Sequence, residues 1–292
     1  MAAGADHVFA DIAEILEAES SIRIRAIHEE RWITYPRART VLEKLDRVLD
    51  YPRRSRMPCV LIVGRSGMGK TMLLERFCRQ HSAVWEEERG REHTPVLSVI
   101  IRPQPTIRRF YAQLLSTLGA PVAPSASTMA LEDRVHRLLP SLGTKMLIAD
   151  EIHNVFTTPR TVDRDALMAL LRTMISELRI SLVCAGTNEA ENALLGDEQL
   201  ASRYEALQLP AWQPNIEFQG LVGSGLRSMP LRQPSDLNPL AIRHLIDITE
   251  SVTSRVFRVL ADLAEQAIIS GVERIDSRAV LDLPLAPRAA AA

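Results

Sequence analysis

The segment Val60-Leu61-Ile62-Val63-Gly64-Arg65-Ser66-Gly67-Met68-Gly69-Lys70-Thr71 decides how the rest of the chain is read. Four apolar residues run into Gly64, and Gly69-Lys70-Thr71 closes a G-x-x-x-x-G-K-[ST] pattern. Met72-Leu73-Leu74-Glu75-Arg76-Phe77 then reads as a helix. Strand, glycine loop and helix in this order is the context of a phosphate-binding loop. Glycines let the backbone curl so that successive N–H groups turn inward on an anion. The following helix N-terminus adds partial positive charge and unpaired donors. Gly64, Arg65, Ser66, Gly67, Met68, Gly69, Lys70 and Thr71 are therefore the expected cradle of a nucleoside triphosphate. Lys70 would meet the β- and γ-phosphates, and the Thr71 hydroxyl would ligate Mg²⁺. The chain has only three lysines, Lys44, Lys70 and Lys145, which makes an incidental lysine here a poor explanation.

A phosphate loop needs acidic groups facing it. Lys145-Met146-Leu147-Ile148-Ala149-Asp150-Glu151 reads as a strand that ends in two acids. Asp150 is expected to bind Mg²⁺, through water, and Glu151 to serve as general base. Adjacent acids at a strand end can take different roles because consecutive side chains point to opposite faces. Thr187 and Asn188 follow the next apolar run, Ile180–Cys184, and are expected to sense the γ-phosphate or the attacking water. Gly186-Thr187-Asn188 is also good turn chemistry. Arg203, ahead of an expected strand at Ala206–Leu209, is a candidate arginine finger for a neighbouring subunit. Arg255 and Arg258 are candidates for a second sensor. His153, without spaced partners, reads as a structural residue or as one that supports a site residue from behind, rather than as a metal ligand.

Apolar runs at Cys59–Val63, Val96–Ile101, Lys145–Glu151, Ile180–Cys184 and Ala206–Leu209 alternate with helical stretches. That alternation predicts an α/β three-layer sandwich on a parallel sheet. Val96–Ile101 is expected to be buried on both faces. Trp85 to His93 is read as a solvated loop. Helices are expected over Ile107–Leu118, Met129–Leu139 with a stop at Pro140, and Asp163–Leu178. Upstream, Val41, Leu42, Leu45, Val48 and Leu49 recur at helical spacing. Arg31-Trp32-Ile33-Thr34-Tyr35-Pro36 forms an aromatic patch; Ile33 and Tyr35 read equally as a wall for adenine or as a packing anchor. Beyond Gln213 the strand pattern stops, and 238–250 and 252–268 read as helices. The expected divisions are a helical segment at 1–56, a nucleotide-binding core at 57–212, and a helical lid and tail at 213–292.

The 292 residues carry 35 basic and 36 acidic side chains, a net charge of -1, so no global positive field advertises nucleic acid. Nearly all the positive charge is arginine, so any phosphate-contacting surface must be built from it. Cys59, Cys78 and Cys184 lie far apart, against a disulfide framework or zinc site. The chain lacks an apolar run of membrane-spanning length. Asp6, Asp11, Glu14, Glu17 and Glu19 fill the N-terminus, unlike a signal peptide. The expectation is a soluble cytoplasmic protein with no membrane partner.

Gly64–Thr71, Asp150-Glu151-Ile152-His153-Asn154, Ala185-Gly186-Thr187 and Gln199-Leu200-Ala201-Ser202-Arg203-Tyr204, with Trp32-Ile33-Thr34-Tyr35-Pro36 and Arg56-Met57-Pro58 ahead of them, occur together. In this order and spacing, over about residues 25–275, the chain resembles the TniB group of AAA+ P-loop ATPases. The resemblance implies a regulator of DNA transposition of the TnsC and MuB kind. Such a protein binds ATP with Mg²⁺ and assembles on double-stranded DNA as a ring or helical homo-oligomer. It hydrolyses ATP and recruits or activates a DDE transposase (TniA-like), alongside a TniQ-like targeting factor. Arg102, Arg108, Arg109 and the Ser125–Thr128 loop, Thr128 included, are the candidate DNA contacts; solvated helix-face arginines remain the alternative. Thr253-Ser254-Arg255 departs from the glycines usual in relatives and puts the second sensor in question. Two other readings stay open: a scaffold with structural nucleotide, and a secretion or signalling ATPase that never touches DNA.

Overall fold

The structure is a computed structural model that describes residues 6–157, 161–195 and 204–285. In chain order the elements are α1 (Ala10–Ala13), α2 (Ser20–Ile27), α3 (Pro36–Leu49), β1 (Cys59–Gly64), α4 (Lys70–Gln80), β2 (Val84–Glu86), β3 (Arg91–His93), β4 (Val96–Ile100), α5 (Ile107–Thr117) and α6 (Thr128–Ser141). They continue with β5 (Met146–Asp150), α7 (His153–Phe156), α8 (Thr161–Leu178), β6 (Ser181–Gly186), α9 (Asn188–Leu195), β7 (Tyr204–Leu209), α10 (Ile216–Arg227), α11 (Pro239–Thr249), α12 (Thr253–Ser270) and α13 (Ser277–Leu281). Two compact units emerge. A sheet unit holds Arg39–Arg65 and Lys70–Pro210, and a helical unit holds Met1–Ala38, Ser66–Gly69 and Ala211–Ala292.

The sheet unit is built on five parallel strands in the order β4-β5-β6-β1-β7. β1, β5 and β6 are buried at every residue, as their unbroken apolar sequences require. From β1 the chain crosses to the far edge at β4, then steps back through β5 and β6 and past β1 to β7. With right-handed crossovers, that reversal puts α4 on one face and the later helices on the other. The strand order thus switches beside β1, and ligands bind at the carboxyl ends of strands at such a point. The core against the sheet is aliphatic, with Leu61, Val63, Leu147, Leu171 and Leu182 all nearly inaccessible. Each such side chain contributes about 1.5–3 kcal/mol by leaving water.

Three local expectations change. Residues 84–93 form an antiparallel hairpin, with Trp85 opposite Glu92 and Glu86 opposite Arg91. Gly90, at φ +57°, closes its turn in a conformation that favours glycine. α6 runs through Pro140 to Ser141, so the proline lies inside the helix and forgoes one i→i−4 hydrogen bond without ending it. Leu142 N–H still reaches Leu138 O at 2.9 Å. β4 is an edge strand, so Ile100 is 53% exposed instead of buried.

In the helical unit, α11 and α12 answer the expected stretches 238–250 and 252–268, while α10 and α13 went unread. α10 carries Gly220, Gly223 and Gly225, which mask a helical pattern. Gly225 is needed for close packing: a Cβ there would lie 3.0 Å from Phe257 and 3.1 Å from Leu260 on α12. No described helix is long and apolar enough to cross a membrane.

Candidate functional site

In the sheet unit, β1 delivers Gly64 to the carboxyl edge of the sheet and α4 begins at Lys70. Lys70 is only 6% exposed. Its Nζ donates to the Gly64 carbonyl at 2.7 Å and the Arg65 carbonyl at 3.1 Å. Burial lowers its pKa from the ordinary lysine value, against the pull of the Glu151 and Asp150 charges. An ammonium held in this way gains from any anion that enters. Arg65 and Ser66 are exposed along the loop.

β5 ends at Asp150, which is 2% exposed. Its Oδ2 accepts the Thr71 hydroxyl at 2.6 Å, and its Oδ1 accepts the Glu151 N–H at 2.7 Å. Two hard oxygen donors from α4 and β5 therefore meet. Mg²⁺ in nucleotide sites takes one or two protein oxygens and completes its shell with phosphates and waters. Thr71 and Asp150 fit that set and would hold the ion. Among the described residues no group of three or more His, Cys, Asp or Glu gathers into an all-protein metal cage.

Glu151 differs from the expectation of one more strand residue. The strand stops at Asp150, and Glu151 adopts φ +56°, a left-handed conformation uncommon outside glycine. Its Oε2 lies 3.1 Å from His153 Nε2. The sequence reading found both residues but not the turn that joins them. Thr187 follows β6, which lies between β5 and β1, so it reaches the expected edge. Its hydroxyl is taken up by Glu189 Oε2 at 2.6 Å, and Asn188 is exposed at the start of α9. Arg203 lies outside the described residues.

Also in the sheet unit, Arg102, Arg108 and Arg109 line one cavity of about 380 Å³ beside Phe110 and Gln113. Arg108 donates to the Pro124 and Ala126 carbonyls, and Arg109 to the Gln104 carbonyl. Thr128 opens α6 two residues past Ala126. Among the described residues none of these three arginines is paired with a carboxylate.

In the helical unit, Gly67 and Gly69 take φ +80° and +90°. The Gly67 carbonyl accepts the Ser254 N–H at 2.9 Å, and a Cβ at Gly67 would come within 2.4 Å of Ser254 Oγ. Met68 is buried. Trp212 Nε1–H donates to Thr253 Oγ1 at 2.8 Å. Tyr35 packs edge-on against Trp212 with centroids 5.2 Å apart, and Ile33 is half-buried. This contact is what the packing-anchor reading asks of the aromatic patch. Arg255 pairs with Glu250 at 2.8 Å, and Arg258 is exposed on α12.

Residues 23–214 match the family model described as "Bacterial TniB protein". The chain belongs to the TniB family. No curated protein matches it in sequence. Among solved structures, it is similar to the ORC2 protein of Aeropyrum pernix in ADPNP-ADP complexes, at 19% identity and TM-score 0.61, over 88% of this chain and 70% of that one. It is similar to the Aeropyrum pernix ORC1 protein in complex with DNA at 18% identity and TM-score 0.61, over 88% and 67%. Cdc6p of Pyrobaculum aerophilum follows at 18% identity and TM-score 0.60, over 86% and 67%. At such identities the likeness establishes the fold. By family and fold this TniB protein is a P-loop ATPase of the AAA+ type.

Proposed function

We propose that this TniB-family ATPase is a nucleotide-switched DNA-binding protein that regulates transposition. The observation that carries the nucleotide part is the 2.6 Å contact of Thr71 with Asp150 beside a buried Lys70. Each group is satisfied by a neighbour that ATP and Mg²⁺ would replace. Lys70 exchanges two carbonyls for phosphate oxygens. Mg²⁺ held by Thr71 and Asp150 would supply charge neutralisation to the phosphates. Glu151 takes a proton from water as that water's oxygen attacks the γ-phosphorus, and ADP leaves. Thr187 and Asn188 monitor the γ-phosphate, and Arg203 completes a neighbouring subunit's site in a ring or filament.

The DNA part rests on the three arginines around one cavity, free of carboxylate partners among the described residues. Such a surface suits phosphates, with Thr128 as a further backbone contact, and reads little sequence. The solved ORC1 structure in complex with DNA is a precedent for this fold on DNA. Family membership supports partnership with a DDE transposase and a TniQ-like targeting factor.

Co-sedimentation with duplex DNA at low salt tests the reading. The protein should pellet with DNA when a non-hydrolysable ATP analogue is present and not with ADP. Joint Arg102→Ala, Arg108→Ala and Arg109→Ala should abolish pelleting while leaving ATP binding intact. Loss of pelleting with added salt is expected, because phosphate contacts release counterions. ATP binding without any nucleotide-dependent DNA association would defeat the DNA reading.

A further inference from the structure

We infer that His153 is the positioning residue for Glu151, holding one carboxylate oxygen so that the other faces the attacking water. The inference rests on reading Glu151 as the general base. His153 Nε2 lies 3.1 Å from Glu151 Oε2. The other ring nitrogen, Nδ1, is buried and has no partner among the described residues. A buried nitrogen carrying a proton without an acceptor is costly, whereas an unprotonated one is less so. The ring proton therefore belongs on Nε2, and His153 donates to Glu151.

The backbone around this pair is fixed from three sides. Glu151 takes φ +56°, a strained conformation that persists only where the surroundings impose it. Ile152 N–H donates to the Ala185 carbonyl at 2.9 Å, and Asn154 N–H to the Glu151 carbonyl at 3.0 Å. Asn154 Nδ2 donates to the Ile101 carbonyl at 2.8 Å. Gly186 lets the end of β6 press on this turn, since a Cβ there would lie 2.9 Å from Ile152 Cγ2 and 3.6 Å from His153 N. The turn brings the Glu151 side chain to His153, the first residue of α7. No other side-chain partner holds the Glu151 carboxylate among the described residues. Pinning one oxygen of a base through a third group is the logic by which catalytic bases are oriented.

Steady-state ATP hydrolysis of the full chain with His153→Leu, His153→Gln and Glu151→Gln tests this. His153→Leu should lower kcat by at least about ten-fold with KM for ATP nearly unchanged, because misplacement of a base is felt in the chemical step. His153→Gln keeps an N–H donor near the position of Nε2 and should recover most of the rate. Adding His153→Leu to Glu151→Gln should cost nothing further. A His153→Leu protein that hydrolyses at the normal rate or faster, beside an inactive Glu151→Gln, overturns the positioning role alone. Normal hydrolysis by Glu151→Gln removes the base assignment and this inference with it. Equal loss in His153→Leu and His153→Gln with weakened ATP binding would mark a merely structural histidine and also overturn the proposal.

Discussion

Glu151 in the sheet unit and Glu273 in the helical unit share an unusual backbone: φ is +56° at one and +59° at the other. Their side chains are treated in opposite ways. Glu273 is 12% exposed and meets Arg23, itself fully buried, through both oxygens, one of them at 2.9 Å. It also accepts the Arg232 N–H at 3.3 Å, while Arg23 Nε donates to the Pro230 carbonyl. Glu151 is 37% exposed and meets one imidazole on one oxygen. A carboxylate whose acceptors are saturated is a structural part. One that keeps an oxygen open, next to a buried lysine and an aspartate, is available for chemistry.

The same substitution at both sites should therefore be read in different assays. Glu273→Gln leaves Arg23 buried without a countercharge and should cost about 3–5 kcal/mol in a denaturant melt. Glu151→Gln should move that melt by no more than about 1 kcal/mol, as expected of a partly exposed pair. Equal destabilisation at both positions would erase the distinction.

Acid should expose the structural role of Glu273 as well. Burial pushes the Glu273 carboxyl up, but the Arg23 hydrogen bonds, the Arg232 N–H and both arginine charges outweigh it, leaving the pKa below the ordinary value. Between the folded and ordinary values the unfolded chain binds more protons, so stability rises with pH there. The contribution is complete above the ordinary glutamate pKa and is lost as pH falls through the folded one. A pH series of melts should show this acid loss in the native protein and not in Glu273→Gln.

Lys70→Met extends the contrast to a cation. Removing a buried charge whose hydrogen-bond partners among the described residues are carbonyls should leave the melt of the nucleotide-free protein unchanged or slightly raised, and abolish ATP binding in calorimetry. A marked loss of stability would mean that Lys70 is a structural ion like Arg23. As a baseline, Asn238→Ala removes the N-cap of α11, whose Oδ1 accepts the Ala241 N–H at 2.9 Å. It should cost about 1 kcal/mol and leave ATP turnover alone.

What the sequence disclosed follows the range of the interactions. Gly64–Thr71 was legible because glycine geometry, lysine and hydroxyl sit within one loop. The meeting of Thr71 with Asp150 was legible because alternating strands and helices bring strand ends to one edge. The Glu151 turn was not, since nothing in Asp150-Glu151-Ile152 signals a left-handed backbone. Arg23 and Glu273 stand 250 positions apart, and no local pattern joins them. α10 was hidden by its glycines, whose need is set by Phe257 and Leu260 on another helix. The 84–93 hairpin was hidden by its acidic run, which pairs across strands instead of dissolving into a loop.

Single-turnover hydrolysis of pre-bound ATP by Glu151→Gln addresses the central claim most directly. The account expects ATP to bind as tightly as in the native protein and the hydrolysis rate to fall by about 10²–10⁴. Normal hydrolysis by Glu151→Gln, with ATP bound, would contradict it.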